Sequence, residues 1–233
     1  MATALALSFA QLRDPVHRKV LGRALALTVL LFAGLWWGCE RLLAGLDTSG
    51  WPGWAASAWA DGGALLGALL ILPVFIPLFA ATATGIAEIW LDQVIGAVEA
   101  RYYPGGAARP VGIVTGLRLG LGATARLLLW NLLALPFYLV LLITGVGPLL
   151  LFVVLNGWLL GRAYLEMVAV RHLPAAEVAP WIAAHPYLRW QAGLVAAGLF
   201  AVPVVNLVAP LVGAGMATHL FHRAYADRPR NLS

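Results

Sequence analysis

Between Leu127 and Leu155 the chain carries no ionisable side chain except the phenol of Tyr138. A helix of roughly 20 apolar residues crosses the hydrocarbon of a bilayer. Inside lipid, every backbone amide must find its partner within the protein. This stretch, broken at Thr144-Gly145-Val146-Gly147-Pro148, therefore predicts two antiparallel helices, Leu127–Ile143 and Leu149–Leu165. Charged residues make up only 11% of the 233, against roughly 25% in a soluble domain, too few to cover a water-facing surface. The apolar runs are continuous rather than alternating, which selects helices over a barrel. The expected fold is an all-α integral membrane protein, one helical domain over residues 1–233. It has two main transmembrane helices plus two membrane hairpins, which can be partly penetrating.

The rest of the chain fits that frame. Residues 3–12 read as an interfacial helix, since the basic cluster His17, Arg18, Lys19 and Arg23 follows the apolar stretch instead of preceding it as in a signal peptide. A first span is expected from Val20 to Leu46. The loop Asp47–Gly63 is acidic, rich in tryptophan and free of Lys and Arg, and reads as periplasmic. A second span within Ala64–Val98 is interrupted by Pro73 and Pro77. Tyr102 to Arg126 reads as the main hydrophilic connection and holds no acidic residue. A second hairpin, Ala192–Pro203 with Leu207–His219, has arms of about thirteen residues, fewer than the roughly twenty of a full crossing, and reads either as partly penetrating or as two short, tilted spans. An amphipathic segment, Arg171–Arg189, separates the two hairpins.

The net charge is +5, from fourteen arginines and Lys19 against ten acids. Most of these cations sit in short segments between apolar runs, the positive-inside pattern of a protein with both termini cytoplasmic, not a nucleic-acid face. Such an edge favours anionic lipid and concentrates small anions. The single Cys39 has no partner in the chain. No Walker loop, GxSxG elbow, HExxH or CxxC occurs, so neither an enzyme nor a cofactor is expected.

Several polar residues stand out against this background. Asn156, Arg162, Tyr164 and Glu166 enter together at the end of the long apolar run, and Arg162 and Glu166, four apart, share one helix face. They read as an interfacial anchor or as a polar patch on a solute path. Glu88 and Asp92 have the same spacing and form either a coupled acidic pair or a solvated face. Asn131 and Asn206 need hydrogen-bond partners in apolar surroundings, and Asn206 at a hairpin tip could cap a broken helix near a pore. His219 and His222, three apart, lack a third ligand at a metal-site spacing, so no metal is expected.

Three stretches resemble one family. Asn156–Arg171, NGWLLGRAYLEMVAVR, is similar to the NGY-L-GREYFE-like signature of the etoposide-induced membrane-protein domain family, which includes the CysZ-type sulfate permeases. Val202–Leu220 resembles that family's P-x-x-N-L-x-x-P…G-A-T pattern through Pro203, Asn206, Leu207, Pro210, Ala217 and Thr218. Asp14–Ala24 aligns with the region that carries a Gly-x-Arg-Arg anion-binding turn, with Val16 at the glycine position and Lys19 at the second arginine. The resemblance implies a homo-oligomeric permease or channel of the bacterial inner membrane. It would pass sulfate or a related oxyanion for sulfur assimilation and cysteine synthesis. The resemblance places anion binding on Arg18 and Lys19, with His17 beside them. Asn206, Asn156, Arg162, Glu166, Glu88 and Asp92 are the remaining candidates for pore or structural polar roles. The other reading is a membrane scaffold or lipid-interacting protein that transports nothing.

Overall fold

The computed structural model describes residues 2–44, 49–54, 56–57, 78–79, 82–105, 108–109, 111–202 and 204–226. Among them every regular element is helical. The helices are α1 (Ala2–Ala10), α2 (Pro15–Ala44), α3 (Leu91–Tyr102), α4 (Ile113–Leu141), α5 (Gly147–Ala169), α6 (Ala175–Ala184), α7 (Pro186–Phe200) and α8 (Ala209–Ala226). The all-α membrane fold read from the sequence is the fold observed.

Among the described residues three segments are long and apolar enough to cross a membrane: Pro15–Gly38, Val114–Thr144 and Gly147–Ala169. The first matches the expected first span, which starts earlier than Val20. Pro15 occupies the first helical turn, where its missing N–H costs nothing. Asp14 caps it, accepting from Val16 N–H at 3.0 Å through its carboxylate. The other two form the first hairpin. Most of the expected second span within Ala64–Val98 lies outside the described residues. Its described end is helical over 82–88, turns at Ile89-Trp90 and resumes as α3.

Two boundaries differ from the sequence reading. Helix α4 begins at Ile113, well before Leu127, so the polar connection after α3 is short. Arg118, Gly116, Gly120 and Gly122 dilute the hydropathy there, but the segment holds no proline and the helix runs through. The arms of the second hairpin are also longer than thirteen residues: α7 has 15 and α8 has 18. At 1.5 Å per residue they reach about 22 and 27 Å, still below the roughly 30 Å of hydrocarbon. The extra residues are their polar ends, which hydropathy alone excludes.

Packing centres on α5, α7 and α8, with α1 and α3 laid against α8 and α4 against α5. α8 is buried without interruption from Ala209 to Phe221, and Phe221 contacts Trp181, Tyr225 and His172. In lipid there is no hydrophobic drive between helices, so close approach of small residues takes its place. Gly157, Gly161 and Gly193 provide it, because a Cβ on Gly193 would stand 1.7 Å from the Gly157 carbonyl oxygen.

At the tip of the second hairpin Val204 has φ 68°. This left-handed conformation costs a β-branched residue about 1–3 kcal/mol. Val204→Gly is expected to stabilise the protein by about 1 kcal/mol after allowing for the greater freedom of glycine in the unfolded chain. Thermal unfolding in detergent measures it, and an unchanged or lower midpoint would show that the valine side chain is needed at the tip.

Candidate functional site

Polar side chains of α4 and α5 line up along the seam of the first hairpin. Toward the hairpin turn, Tyr138 O–H donates to Asn131 Oδ1 at 3.2 Å. Asn131 and Asn156 then exchange amide hydrogen bonds at 2.9 and 3.2 Å. Each Asn Nδ2 also donates to a carbonyl one turn back on its own helix, Leu127 O or Phe152 O. Toward one end of the seam Arg126 Nη2 meets Glu166 Oε2 at 2.7 Å. From Tyr138 to Arg126 the stripe climbs twelve residues of α4, about 18 Å along the helix.

Around Glu166 the cations outnumber the acid. The sequence pairs Glu166 with Arg162, and Arg162 Nε does lie within ion-pair range at 3.8 Å, but Arg126 makes the shorter contact. Arg162 Nε is buried without a hydrogen-bond partner. Arg189, from the first turn of α7, lies over Trp158 with its guanidinium carbon 3.2 Å from the ring centroid, and donates from Nε to Trp158 O at 2.8 Å. Burial first, then the charges of Arg162 and Arg126, hold the Arg189 pKa down to about 10, against the pull of Glu166. It stays charged at neutral pH. Arg126 and Arg162 therefore share the Glu166 carboxylate and Arg189 lies close enough to feel all three charges, leaving an excess of positive charge at a partly buried place, where it acts more strongly than at an open surface.

The amide pair gives a direct test. Asn131→Leu leaves Asn156 without its partner and is expected to cost about 1–2 kcal/mol. Asn131→Leu with Asn156→Leu removes both amides and should recover the part of that loss owed to Asn156, the Tyr138 hydroxyl losing its acceptor in both variants. A double-mutant cycle on thermal unfolding reads the difference. Additive losses would mean that the two amides do not act together.

A second polar group lies at the junction of α3, the turn after α5, and α8. Glu99 is its centre. Its Oε2 accepts from Arg171 Nε at 3.1 Å and lies within ion-pair range of Arg171 Nη2 at 3.0 Å, and its Oε1 accepts from His172 Nε2–H at 2.7 Å and faces His222 Nε2 at 3.4 Å. Burial alone would raise the Glu99 pKa. The hydrogen bonds from His172 and His222 and the charges of Arg171 and His172 outweigh it and hold the carboxyl at about 2. Asp92 pairs with Arg171 from the other side. Beside this group His219 joins Gln11 at 2.8 Å and Tyr103 at 2.7 Å, tying the turn after α1 and the end of α3 to α8.

The other candidates are dispersed. Arg18 and Lys19 are exposed in the first turns of α2, whereas His17 is buried, with both ring nitrogens lacking a hydrogen-bond partner. The three do not share one surface. Nor do Glu88 and Asp92 lie on one continuous helix, since the turn at Ile89-Trp90 separates them and Asp92 goes to Arg171. Asn206 sits in the 3-10 turn Val205–Val208 with its Oδ1 buried and unpartnered. Sequence reasoning missed Arg126, Arg189, Glu99, Arg171 and His172 as members of these groups. Only Arg126, five residues before Asn131 on the same apolar helix, had a local signal.

Over residues 4–210 the chain matches the family model described as Sulfate transporter CysZ/Etoposide-induced protein 2.4. The chain belongs to this family. No curated protein and no solved structure matches it. Membership and the apolar helices together make it a multi-pass membrane protein of a transporter family. The match takes in both arms of the first hairpin and ends at Pro210, inside α8, so Ala217 and Thr218 lie beyond it.

Proposed function

We propose that this protein passes sulfate or a related oxyanion across the bacterial inner membrane, feeding sulfur assimilation, as a homo-oligomer with both termini cytoplasmic. The observation that carries the reading is the cation excess at the end of the polar seam: Arg126, Arg162 and Arg189 around the single Glu166. A tetrahedral dianion suits planar guanidinium forks, which give it two parallel hydrogen bonds each. A site with one carboxylate for three arginines has charge to offer such an anion without a net cost of losing a structural ion pair. The amides and phenol of Asn131, Asn156 and Tyr138 carry the polar stripe from this place into the span, their N–H and O–H groups bonded to one another and to Leu127 O and Phe152 O. Arg18 and Lys19, exposed at the start of α2, serve as collecting charges that raise the local anion concentration. The acid-poor cytoplasmic edges also draw anionic lipid to the same face.

The two cation groups have separable signatures in labelled-sulfate uptake by proteoliposomes. Arg18→Ala with Lys19→Ala is expected to raise the half-saturating concentration several-fold at low salt, with the maximal rate kept. Arg162→Gln is expected to lower the maximal rate by about tenfold or more, the scale of a charge-assisted hydrogen bond of ~1.5–3 kcal/mol. If both variants match the wild type, neither group handles the anion.

A further inference from the structure

The junction of α3, the α5–α6 turn and α8 brings together three side chains that are far apart in the chain. Glu99, His172 and His222 each offer one ligand atom, and these atoms all lie within 4.8 Å of one another. We propose that this trio is a binding site for a divalent transition-metal ion of the zinc class, one per chain. The site is separate from the arginine seam and independent of any anion passage.

The donor set suits such an ion. Two imidazole nitrogens and one carboxylate oxygen form a recurrent zinc set that leaves a fourth position for water. With metal–ligand bonds of about 2.0–2.2 Å, tetrahedral donors stand roughly 3.3–3.5 Å apart. His222 Nε2 to Glu99 Oε1 is already 3.4 Å, and His172 Nε2 to the same oxygen is 2.7 Å. A small outward movement of the His172 ring would admit the ion. Both histidines present Nε2, so each needs only to carry its remaining proton on Nδ1 to become a ligand.

The surroundings hold the ligands in place. Arg171 grips the far oxygen of Glu99 through two nitrogens, which fixes the carboxylate plane and leaves Oε1 for the ion. Asp92 balances the charge of Arg171. Tyr103 stacks on the His222 ring with centroids 4.1 Å apart and planes 12° from parallel, and Phe221 stacks on His172 at 5.3 Å and 28°. The side chains of Glu99, His172 and His222 are 8%, 6% and 10% exposed, so a bound ion would be largely shielded from water. Three elements would be fastened at one point.

Cobalt(II) tests the assignment, because it reports coordination by its visible absorption. The tag-free full chain in detergent, stripped with a chelator, would be titrated with Co²⁺ and then with Zn²⁺. The expected result is one Co²⁺ per chain with the intense absorption of a tetrahedral site, displaced by equimolar Zn²⁺. His222→Gln and His172→Gln should each weaken binding at least 10–100-fold, the loss typical of removing even an outer partner of a metal ligand. Their helix content and elution are expected to match the wild type. No tetrahedral absorption from the folded wild-type protein would overturn the proposal. So would absorption that persists unchanged in both folded variants. Should a variant fail to fold, the wild-type titration alone decides.

Discussion

Gly193→Ala is expected to cost about 3 kcal/mol or more and to leave little folded protein in mild detergent. The added Cβ would lie 1.7 Å from the carbonyl oxygen of Gly157 and 2.8 Å from the amide nitrogen of Gly161. Both obstacles are backbone, so no rotamer change relieves them, and α5 and α7 must separate. Gly161→Ala meets the same difficulty from the other side, with its Cβ 1.9 Å from Arg189 O. Overpacking ordinarily costs about 1–3 kcal/mol, and a main-chain clash at a small-residue helix crossing belongs at or above the upper end. The separation would also carry Arg189 away from Trp158 O and from the arginine cluster. Gly198→Ala on the same helix is the control, because a Cβ there meets nothing within 4 Å. It should be neutral or stabilising by up to about 1 kcal/mol through helix propensity. Chemical unfolding in detergent compares the three, and equal midpoints for Gly193→Ala and Gly198→Ala would sink the close crossing.

Glu166→Gln is the second large effect. It leaves Arg126, Arg162 and Arg189 without the carboxylate that offsets them, and Glu166 itself is only 14% exposed. Removing one partner of a buried pair costs about 3–5 kcal/mol. Since Arg126 and Arg162 are each about one-third exposed, the lower end, about 3 kcal/mol, applies, falling as salt rises. Sulfate added at fixed ionic strength should restore the midpoint of the variant more than that of the wild type, because a ligand that binds only the folded state stabilises it by mass action. If chloride at the same ionic strength restores it equally well, screening explains the recovery and no oxyanion site exists there.

The membrane class and the first hairpin were legible because uncharged runs leave few alternatives. The turn at Gly145–Pro148 and the tip of the second hairpin likewise fell where the sequence put them, whereas the first span begins at Pro15, ahead of the expected Val20. The start of α4 was not legible, since glycines and Arg118 lower the hydropathy of a segment that nothing prevents from being helical. At the seam, the i to i+4 spacing of Arg162 and Glu166 gave their proximity but not the stronger contact from Arg126, forty residues away. Arg189 reaches the seam only because glycines let α7 approach α5. For His222 the sequence offered His219 as its neighbour, three residues away on one helix. The fold instead sends His222 to Glu99 and His219 to Gln11, with Tyr103 between them, stacked on the His222 ring and bonded through its hydroxyl to His219. Tertiary packing decided each of these contacts, and no local spacing encodes it.

Oxyanion passage along the arginine-lined seam is read out by initial rates of labelled-sulfate uptake into proteoliposomes. Vesicles carrying wild-type protein would be set against empty vesicles and vesicles carrying folded Arg162→Gln protein. Uptake well above that of empty vesicles is expected for the wild type, and uptake close to it for the variant. Wild-type uptake no greater than that of empty vesicles, from protein with its full helix content, would contradict oxyanion passage here.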